Sequence, residues 1–587
     1  MLKLFKNLSK KDYILVLVCF ILVVFQVWLD LKMPDYMSQI TVLVQTEGSK
    51  MKDILTNGGY MLACALGSMI SAIVIGYFAS LLSAKFSLNL REKVFKKVQK
   101  LGIAEIKQFQ TSSLITRTTN DITQIEMLIA MGLQVLIKAP IMAIWAISKI
   151  INKSATLSGL VAAGVVILLI TVFTIMSLVV SKFTKIQKLT DKVNSITREN
   201  LTGIRVIRAF NAEKFQTDRF AEVNEDLTKT NLFIQKCFAL MSPVMMLVMH
   251  FLTLGVYFVG TFLIVDAGMV EKVNLFGNMV VFTSYGMQVI MSFLMLTMIF
   301  MILPRARVSA NRINEVLDCE IAIKDGTLAK KKTKKVGEVE FKNVSFKYPD
   351  ADEYLLKNIS FKAKKGETVA FIGSTGSGKS SLVNLIPRLY DTTDGEVLVD
   401  GVNVKEYKQE LLHNIIGYIP QKAIMFTGSV KDNITFGDSG NKKLTDEEIR
   451  KAIDVAQASE FVSKMDGEID AHIARGGTNV SGGQKQRLSI ARAVARKPEI
   501  YIFDDTFSAL DYQTDSKLRQ ELKKYTKDAT TLIVAQRIGT IMNADKILVL
   551  DKGECVGIGT HKELLKSCEV YKEIALSQLG EEELNNA

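Results

Sequence analysis

Histidine is nearly missing from this chain, with four in 587 residues. That argues against a metal centre built on imidazole. Cysteine is sparse too: Cys19, Cys64, Cys237, Cys319, Cys555 and Cys568 are scattered, with no CxxC pair. Neither a disulfide framework nor a zinc site is expected, and the thiols read as reduced. Charge is scarce across long stretches of the first three hundred residues. No small-residue cleavage site follows the first apolar run, so that run is expected to stay as a span rather than be removed as a leader.

Those uncharged stretches are the first positive feature. A bilayer core takes about 20 apolar residues as helix. Six segments reach that length, near Tyr13–Leu31, Tyr60–Ser83, Leu128–Ile151, Thr156–Val180, Phe238–Val265 and Phe276–Leu303. An even number returns the chain to its starting side. The first, third and fifth connections are short. The second (Ala84–Met127) and fourth (Ser181–Cys237) are long and carry eight and eleven Lys/Arg, against five for the other three together. Positive charge marks the cytosolic side, so both termini and both long connections are expected in the cytosol of a multi-pass cell-membrane protein. The net charge of +13 therefore marks topology, and no nucleic-acid partner is expected. The partner that the charge and the spans imply is the lipid bilayer. "MLKLFKNLSKK" reads as a short basic amphipathic helix on the inner leaflet. The long connections keep a helical period with little Pro or Gly, so the spans are expected to run on as rods; half of 44 residues makes roughly 30 Å. Pro304 is read as the end of the sixth span.

From Gly337 the texture changes. "VEFKNVSFKY" alternates like a strand, and buried strands then alternate with amphipathic helices in the α/β manner. The expected boundaries are a membrane domain over 1–317, a linker over 318–336 that holds the solvated run "KKKTKK", an α/β unit over 337–579 and an acidic tail over 580–587.

"GSTGSGKSS" follows the apolar strand "TVAFI" and opens a helix. It fits G-x-x-x-x-G-K-[ST] in the strand–loop–helix setting of a P-loop. Gly373, Gly376 and Gly378 free the backbone to wrap phosphates, with Ser374, Thr375, Ser377 and Ser381 in the same loop. Lys379 would reach the β/γ oxygens of a nucleotide and Ser380 would bind Mg²⁺, although a P-loop alone does not choose among kinases, GTPases and motors. "IYIFDDTFSAL" drives a buried strand into two adjacent acids, Asp504 and Asp505. "VSGGQKQR" places Ser481, Gly482, Gly483 and Gln484 at a helix start.

Together these motifs resemble the ATP-binding cassette (ABC) family. With six spans ahead of them, the chain resembles one half of an ABC exporter. The resemblance implies a polytopic α-helical membrane domain, its six spans extended into the cytosol, fused to an α/β P-loop cassette, with ATP and Mg²⁺ as cofactors. Residue by residue, it implies that Tyr348 stacks on adenine, that Gln421 and Asp504 join Ser380 around the metal, and that Ser481–Gln484 meet the ATP of a second cassette. It also implies that Ser508 and Asp511 of "SALD" line the dimer interface. "GIRVIRAFNAE" (Gly203–Glu213) resembles the turn of the membrane domain that docks on a cassette. "FQTSSLITRTTND" (Phe109–Asp121) resembles the companion turn, with serine in place of its usual glycine.

Two positions depart from the family. The acid after Asp504 is normally Glu and here is Asp505; the switch histidine is here Gln536. Losing one methylene withdraws a carboxylate by roughly 1.3–1.5 Å, and a misplacement of that order can cost about 100-fold in rate. Both departures fall on the hydrolytic pair, while the nucleotide-holding residues are kept. The chain therefore resembles the degenerate subunit of the heterodimeric multidrug exporters of bacteria. Its partner would be a homologous half-transporter with Glu and His intact.

Cargo is weakly encoded. Met287, Met291, Met295 and Met298 share one helical face, which suits adaptable contact with small amphipathic cargo and equally suits helix packing or lipid contact. Asp30, at the outer end of the first span, and His250 are ionisable groups near or in the membrane; for Asp30, a cation site and an interfacial residue are both open. A lipid flippase and an ATP-gated channel or regulatory subunit are the competing readings. The channel is disfavoured by sparse charge in the spans, and a peptide-processing exporter by the lack of a peptidase-like N-terminal domain.

Overall fold

The computed structural model describes residues 2–5, 9–151, 155–265, 268–329, 336–437 and 443–578. Two compact units emerge: one holds residues Met1–Gln99 and Gln110–Cys319, the other Lys100–Phe109 and Glu320–Ala587. The run "KKKTKK" and the tail over 580–587 lie outside the described residues.

The first unit is all helix. Helices long and apolar enough to cross a membrane cover Lys10–Gln45, Met51–Lys100, Thr111–Ile151, Ala155–Thr202, Glu213–Val265 and Glu271–Asp318. Among lipid tails every backbone N–H and C=O must be paired within the segment, which leaves helix as the solution for separate spans. Several run far past a bilayer's thickness. Met51–Lys100 has 50 residues, roughly 75 Å at helical rise, so the long connections are rods as expected. The second connection breaks at a short helix, Ile103–Phe109, and the fourth at Ile204–Ala209, within the stretch read as a docking turn.

Pro304 does not stop the last helix, which runs from Met269 to Asp318. Proline removes one ladder bond, but the segment beyond it is pinned from the side. Ala306, Ala310, Ile313 and Val316 are fully buried. Ser309 donates to Asp121 at 2.8 Å, and Arg117 pairs with Glu315 at 2.7 Å. Pro34, Pro140 and Pro243 also sit inside helices of this unit, as membrane helices tolerate when neighbours hold the chain.

Asp30 is a second correction. Its helix continues to Gln45, and Asp30 is buried among the helices. Lys138 pairs with it at 3.0 Å, Ser68 donates to it at 2.5 Å, and Gln288 donates to its backbone carbonyl at 3.2 Å. One turn on, Lys149 pairs with Asp35 at 3.1 Å, and Tyr285 donates to Asp35 at 3.0 Å. The two lysines lie inside the third span's helix, where hydropathy alone does not mark them as partners. With its charge already matched, Asp30 is not an open cation site. Of the other residues singled out for cargo, Met287, Met291 and Met295 are exposed, as is His250; the Met298 side chain is outside the described residues.

The second unit is an α/β domain. A four-stranded antiparallel sheet runs in the order β2 (Leu356–Ala363), β1 (Val339–Phe346), β4 (Asp394–Val399), β5 (Val402–Asn403). The main sheet contains β3 (Thr368–Gly373), β6 (Ile416–Ile419), β9 (Ile500–Asp504), β10 (Thr530–Val534), β11 (Lys546–Asp551) and β12 (Glu554–Gly559). Its order is β12-β11-β3-β10-β9-β6, parallel except for the β11–β12 edge. A small ribbon pairs β7 (Gly428–Ser429) with β8 (His472–Ile473). Alternation along the central strands feeds two cores. Phe371, Ile502 and Leu532 face one; Ile372, Phe503 and Ile533 face the other. Burial on both faces is what an interior parallel sheet requires.

The Asp30–Lys138 pair yields a stability test. Lys138→Met leaves a buried carboxylate unpaired, which is expected to cost about 3 kcal/mol. Asp30→Asn in the same chain should return most of that loss. Thermal unfolding of the purified chain, followed by the monodisperse fraction surviving each temperature, checks it; a double variant as unstable as the single one would show that the pair is not an isolated unit.

Candidate nucleotide-binding site

The topology gathers the motifs at one sheet edge. β3 ends in the P-loop, β9 ends in Asp504, and Gln536 follows β10, which lies between them. Val534 stands opposite both Phe371 and Asp504 in register. The carboxyl ends of parallel strands are where open α/β sheets take ligands.

The loop itself is a turn that only glycine fits at two points. Gly373 is hemmed in by the Leu550 carbonyl, 2.0 Å from where a Cβ would stand, and Gly378 takes φ +92° with Leu356 at 2.6 Å. Ser374, Thr375 and Gly376 are exposed at the tip, while Ser377 is buried. Lys379 opens the helix Lys379–Asn384. Its ammonium donates to the Gly373 and Ser374 carbonyls at 2.8 Å each, closing the loop on itself. Burial pushes the Lys379 pKa down, opposed by the nearby Asp505 and Asp504 charges. A cation short of solvation in this cradle is suited to receive phosphate oxygens.

Ser380 donates to Asp504 at 2.7 Å, and Tyr418 donates to the other Asp504 oxygen at 3.3 Å. Burial holds the Asp504 carboxyl above its ordinary pKa, against the lowering effect of those two hydrogen bonds. A hydroxyl and a carboxylate held together are the hard oxygen donors that Mg²⁺ prefers, so Ser380 and Asp504 fit that ion. Gln421, expected to share in the metal site, instead directs its amide N–H at Asp505, 3.0 Å away.

Asp505 is the centre of a contact that no linear motif announces. Gln536 donates to the same Oδ2 atom at 2.6 Å, so two neutral amides grip one carboxylate oxygen. The residue is buried and its backbone is left-handed, φ +47°, a conformation that Asp tolerates better than most residues. Its own amide donates to the Val534 carbonyl at 3.0 Å, and Ser508 donates to its carbonyl at 2.8 Å.

Tyr348 shares a 2.7 Å hydrogen bond with Ser381, joining the aromatic to the P-loop helix. Its ring meets Tyr390 edge-on at 5.2 Å. Lys107, from Ile103–Phe109, stands 5.2 Å over the same ring, and Glu105 of that helix accepts from the Ala322 amide at 3.1 Å. The segment of the second connection that joins this unit is therefore Lys100–Phe109, just ahead of Phe109–Asp121, which carried the resemblance. Charged residues in "AEIKQF" gave no sign of it, because their partners are remote in sequence.

The signature residues stand on another element. Ser481 caps the helix Gly482–Ala495 in a reciprocal box with Gln484. Ser481 and Gly482 are exposed, and a Cβ on Gly482 would meet nothing within 4 Å. That bare helix N-terminus presents free N–H groups suited to an anion. Asp511 caps Tyr512–Tyr525 by accepting from the Thr514 amide, a contact that holds its pKa low.

The chain is similar to known proteins along most of its length. Residues 15–293 match the ABC transporter transmembrane region, and residues 356–508 match the ABC transporter family. An uncharacterized ABC transporter ATP-binding protein of Mycobacterium tuberculosis is 41% identical over 89% of this chain and 87% of its own length. The ATP-dependent lipid A-core flippase of Aliivibrio fischeri is 30% identical over 87% of this chain and 86% of its own. A solved bacterial Atm1-family ABC exporter with ATP bound superposes with a TM-score of 0.81 at 23% identity, covering 96% of this chain and 98% of that one; the likeness is one of fold.

The P-loop geometry predicts that Gly373→Ala cannot be absorbed, since the Leu550 carbonyl is strand backbone. Binding of a fluorescent ATP analogue should weaken by at least ~10-fold, with a lowered melting temperature. Gly376→Ala, at an open tip with φ +87°, brings backbone strain but no clash, and should cost less. Equal binding by both variants would refute the steric reading.

Proposed function

The chain belongs to the ABC transporters, with a transporter membrane region and an ATP-binding cassette in one polypeptide, and on that premise we propose that it is the degenerate half of a heterodimeric exporter. In this reading the cassette and both termini are cytosolic, and the P-loop residues with Tyr348 hold ATP. Ser380 and Asp504 would hold Mg²⁺, which, when bound, offsets charge on the β/γ phosphates. The reading is carried by the Asp505 contact: a carboxylate one methylene short, with both neighbouring amides donating to a single oxygen.

The chemistry follows from that contact. A group that orients attacking water must reach it within hydrogen-bond distance. Asp505 starts roughly 1.3–1.5 Å further back than a glutamate would, a loss worth about 100-fold. Gln536 directs one of its two amide N–H groups at Asp505 and carries no positive charge to set against a developing phosphate charge. This chain's own site is thus suited to hold ATP and poorly suited to split it.

The signature is intact and its surface is open, as a site completed by a second chain requires. Leu201, Ile204, Val206, Phe210 and Phe215 are exposed around the second cytosolic turn. A cluster of that kind marks an interaction surface, and a partner half-transporter with Glu and His would cover it. Small amphipathic compounds are the proposed cargo. Lipid is a second reading, supported by the 30% identity to a flippase.

Expressed alone, the chain should show ATPase activity about 100-fold or more below that of a paired complex, because both homodimer sites would contain Asp505 and Gln536. Robust turnover by a purified homodimer would sink the asymmetric reading.

Within a heterodimer, the two surfaces of this chain should respond differently. Gly482→Asp sets a carboxylate against the partner site's γ-phosphate in a desolvated interface, and ATPase should fall by orders of magnitude. Asp505→Asn should leave most turnover in place. The measurement is steady-state phosphate release with assembly checked by size; equal losses from both variants would mean that both sites must hydrolyse.

A further inference from the structure

The membrane unit contains a cavity of about 320 Å³ that the transport reading does not use. Its walls are largely apolar: Phe5, Tyr13, Leu82, Leu133, Leu136 and Leu303 contribute from five separate helical stretches. One wall is a π-helical turn, Gly132–Leu136, inserted between two regular helices. Such turns are uncommon and tend to mark functional sites. Gly132 lies on that wall, and a Cβ built there meets nothing within 4 Å. The π turn and the missing side chain together leave room that ordinary packing would fill.

The charge around the cavity is one-sided. Lys10 and Lys11 precede Tyr13, Lys85 follows Leu82, and Arg305 and Arg307 follow Leu303; all five are exposed. The acids in the same zone are spent elsewhere. Asp12 accepts from the Ser9 amide at 2.8 Å in a helix cap. Glu126 accepts from Ser87 at 2.8 Å and pairs with Arg91 at 3.3 Å. An apolar slot whose lining residues have exposed cations two to four positions away along three helices matches a molecule with a hydrocarbon chain and an anionic head. Among the described lining residues the one polar side-chain group is the Tyr13 hydroxyl, which donates to the Phe5 carbonyl at 3.3 Å, so little is left to orient a polar drug.

We propose that this cavity holds one acyl chain of an anionic phospholipid, with its phosphate in reach of Lys10, Lys11, Lys85 and Arg305. The lipid comes from the cytosolic leaflet, a placement that rests on the orientation proposed above. It is a bound lipid of the membrane region, independent of which nucleotide site hydrolyses.

The test uses the full chain reconstituted in bilayers with the same composition in both leaflets, so the result does not depend on orientation. The bilayers contain equal parts phosphatidylglycerol and phosphatidylcholine, with one or the other bearing a photoactivatable acyl chain. Cross-linked peptides are mapped by mass spectrometry. Labelling from phosphatidylglycerol should concentrate several-fold on the peptides holding Tyr13 and Leu133 relative to the exposed Ile73 and Phe173. Gly132→Phe and, from a half-exposed position, Leu136→Trp should fill the space and abolish that excess, while Gly132→Ala keeps it. Lys10→Glu with Lys11→Glu should remove the preference over phosphatidylcholine. Labelling spread evenly over exposed spans, labelling unchanged in both filling variants, or equal labelling by the two lipids in the wild-type chain would each overturn the proposal.

Discussion

Two amide N–H groups converge on one oxygen of Asp505, and much of the candidate site is arranged around that contact. Gln421 comes from the loop after β6 and Gln536 from the loop after β10. β9, which delivers Asp505, lies between those two strands in the sheet. A carboxylate reached from both sides must sit back near the sheet edge, and a short side chain is what leaves it there. The same edge holds Ser380 against Asp504 and folds Lys379 over its own loop. The result is a loop suited to phosphate, with a cation and hard oxygens close by, next to an acid whose hydrogen-bonding capacity is already partly used.

The membrane unit depends on a related rule, that buried charge is paired or costly. Asp30 with Lys138 and Asp35 with Lys149 tie the first long helix to the third span. Tyr285 and Gln288 add bonds from the last helix. These polar contacts are directional where apolar packing is not, so they fix the register of three helices against one another. The same last helix passes through Pro304 because Ser309, Arg312 and Glu315 hold its far segment to the neighbouring helix.

Much of this was legible in the sequence. Six spans, their long helical extensions, the P-loop and the change to α/β texture after Gly337 all follow from patterns of short range. A run of 20 apolar residues, a strand followed by G-x-x-x-x-G-K-S, or a period of two along a strand needs no distant partner to be recognised. The residues Asp505 and Gln536 were equally visible, since each sits at a fixed offset from a motif.

Tertiary structure decided the pairings. That Gln421 faces Asp505 rather than the Ser380–Asp504 pair depends on the order of strands in the sheet, which no spacing encodes. Asp30 read as an open ionisable group until Lys138, 108 positions away in a different helix, was brought within 3.0 Å. Ile103–Phe109 joined the α/β unit through Glu105 and Lys107, although their partners lie more than two hundred positions on. The apolar cavity exists because a π turn and a glycine meet four helical stretches at one level. The sequence determined which elements form, because helices and strands answer to neighbours a few residues away. Only the fold determined which charges are matched and which spaces stay empty, because both depend on side chains that are remote along the chain and adjacent in space.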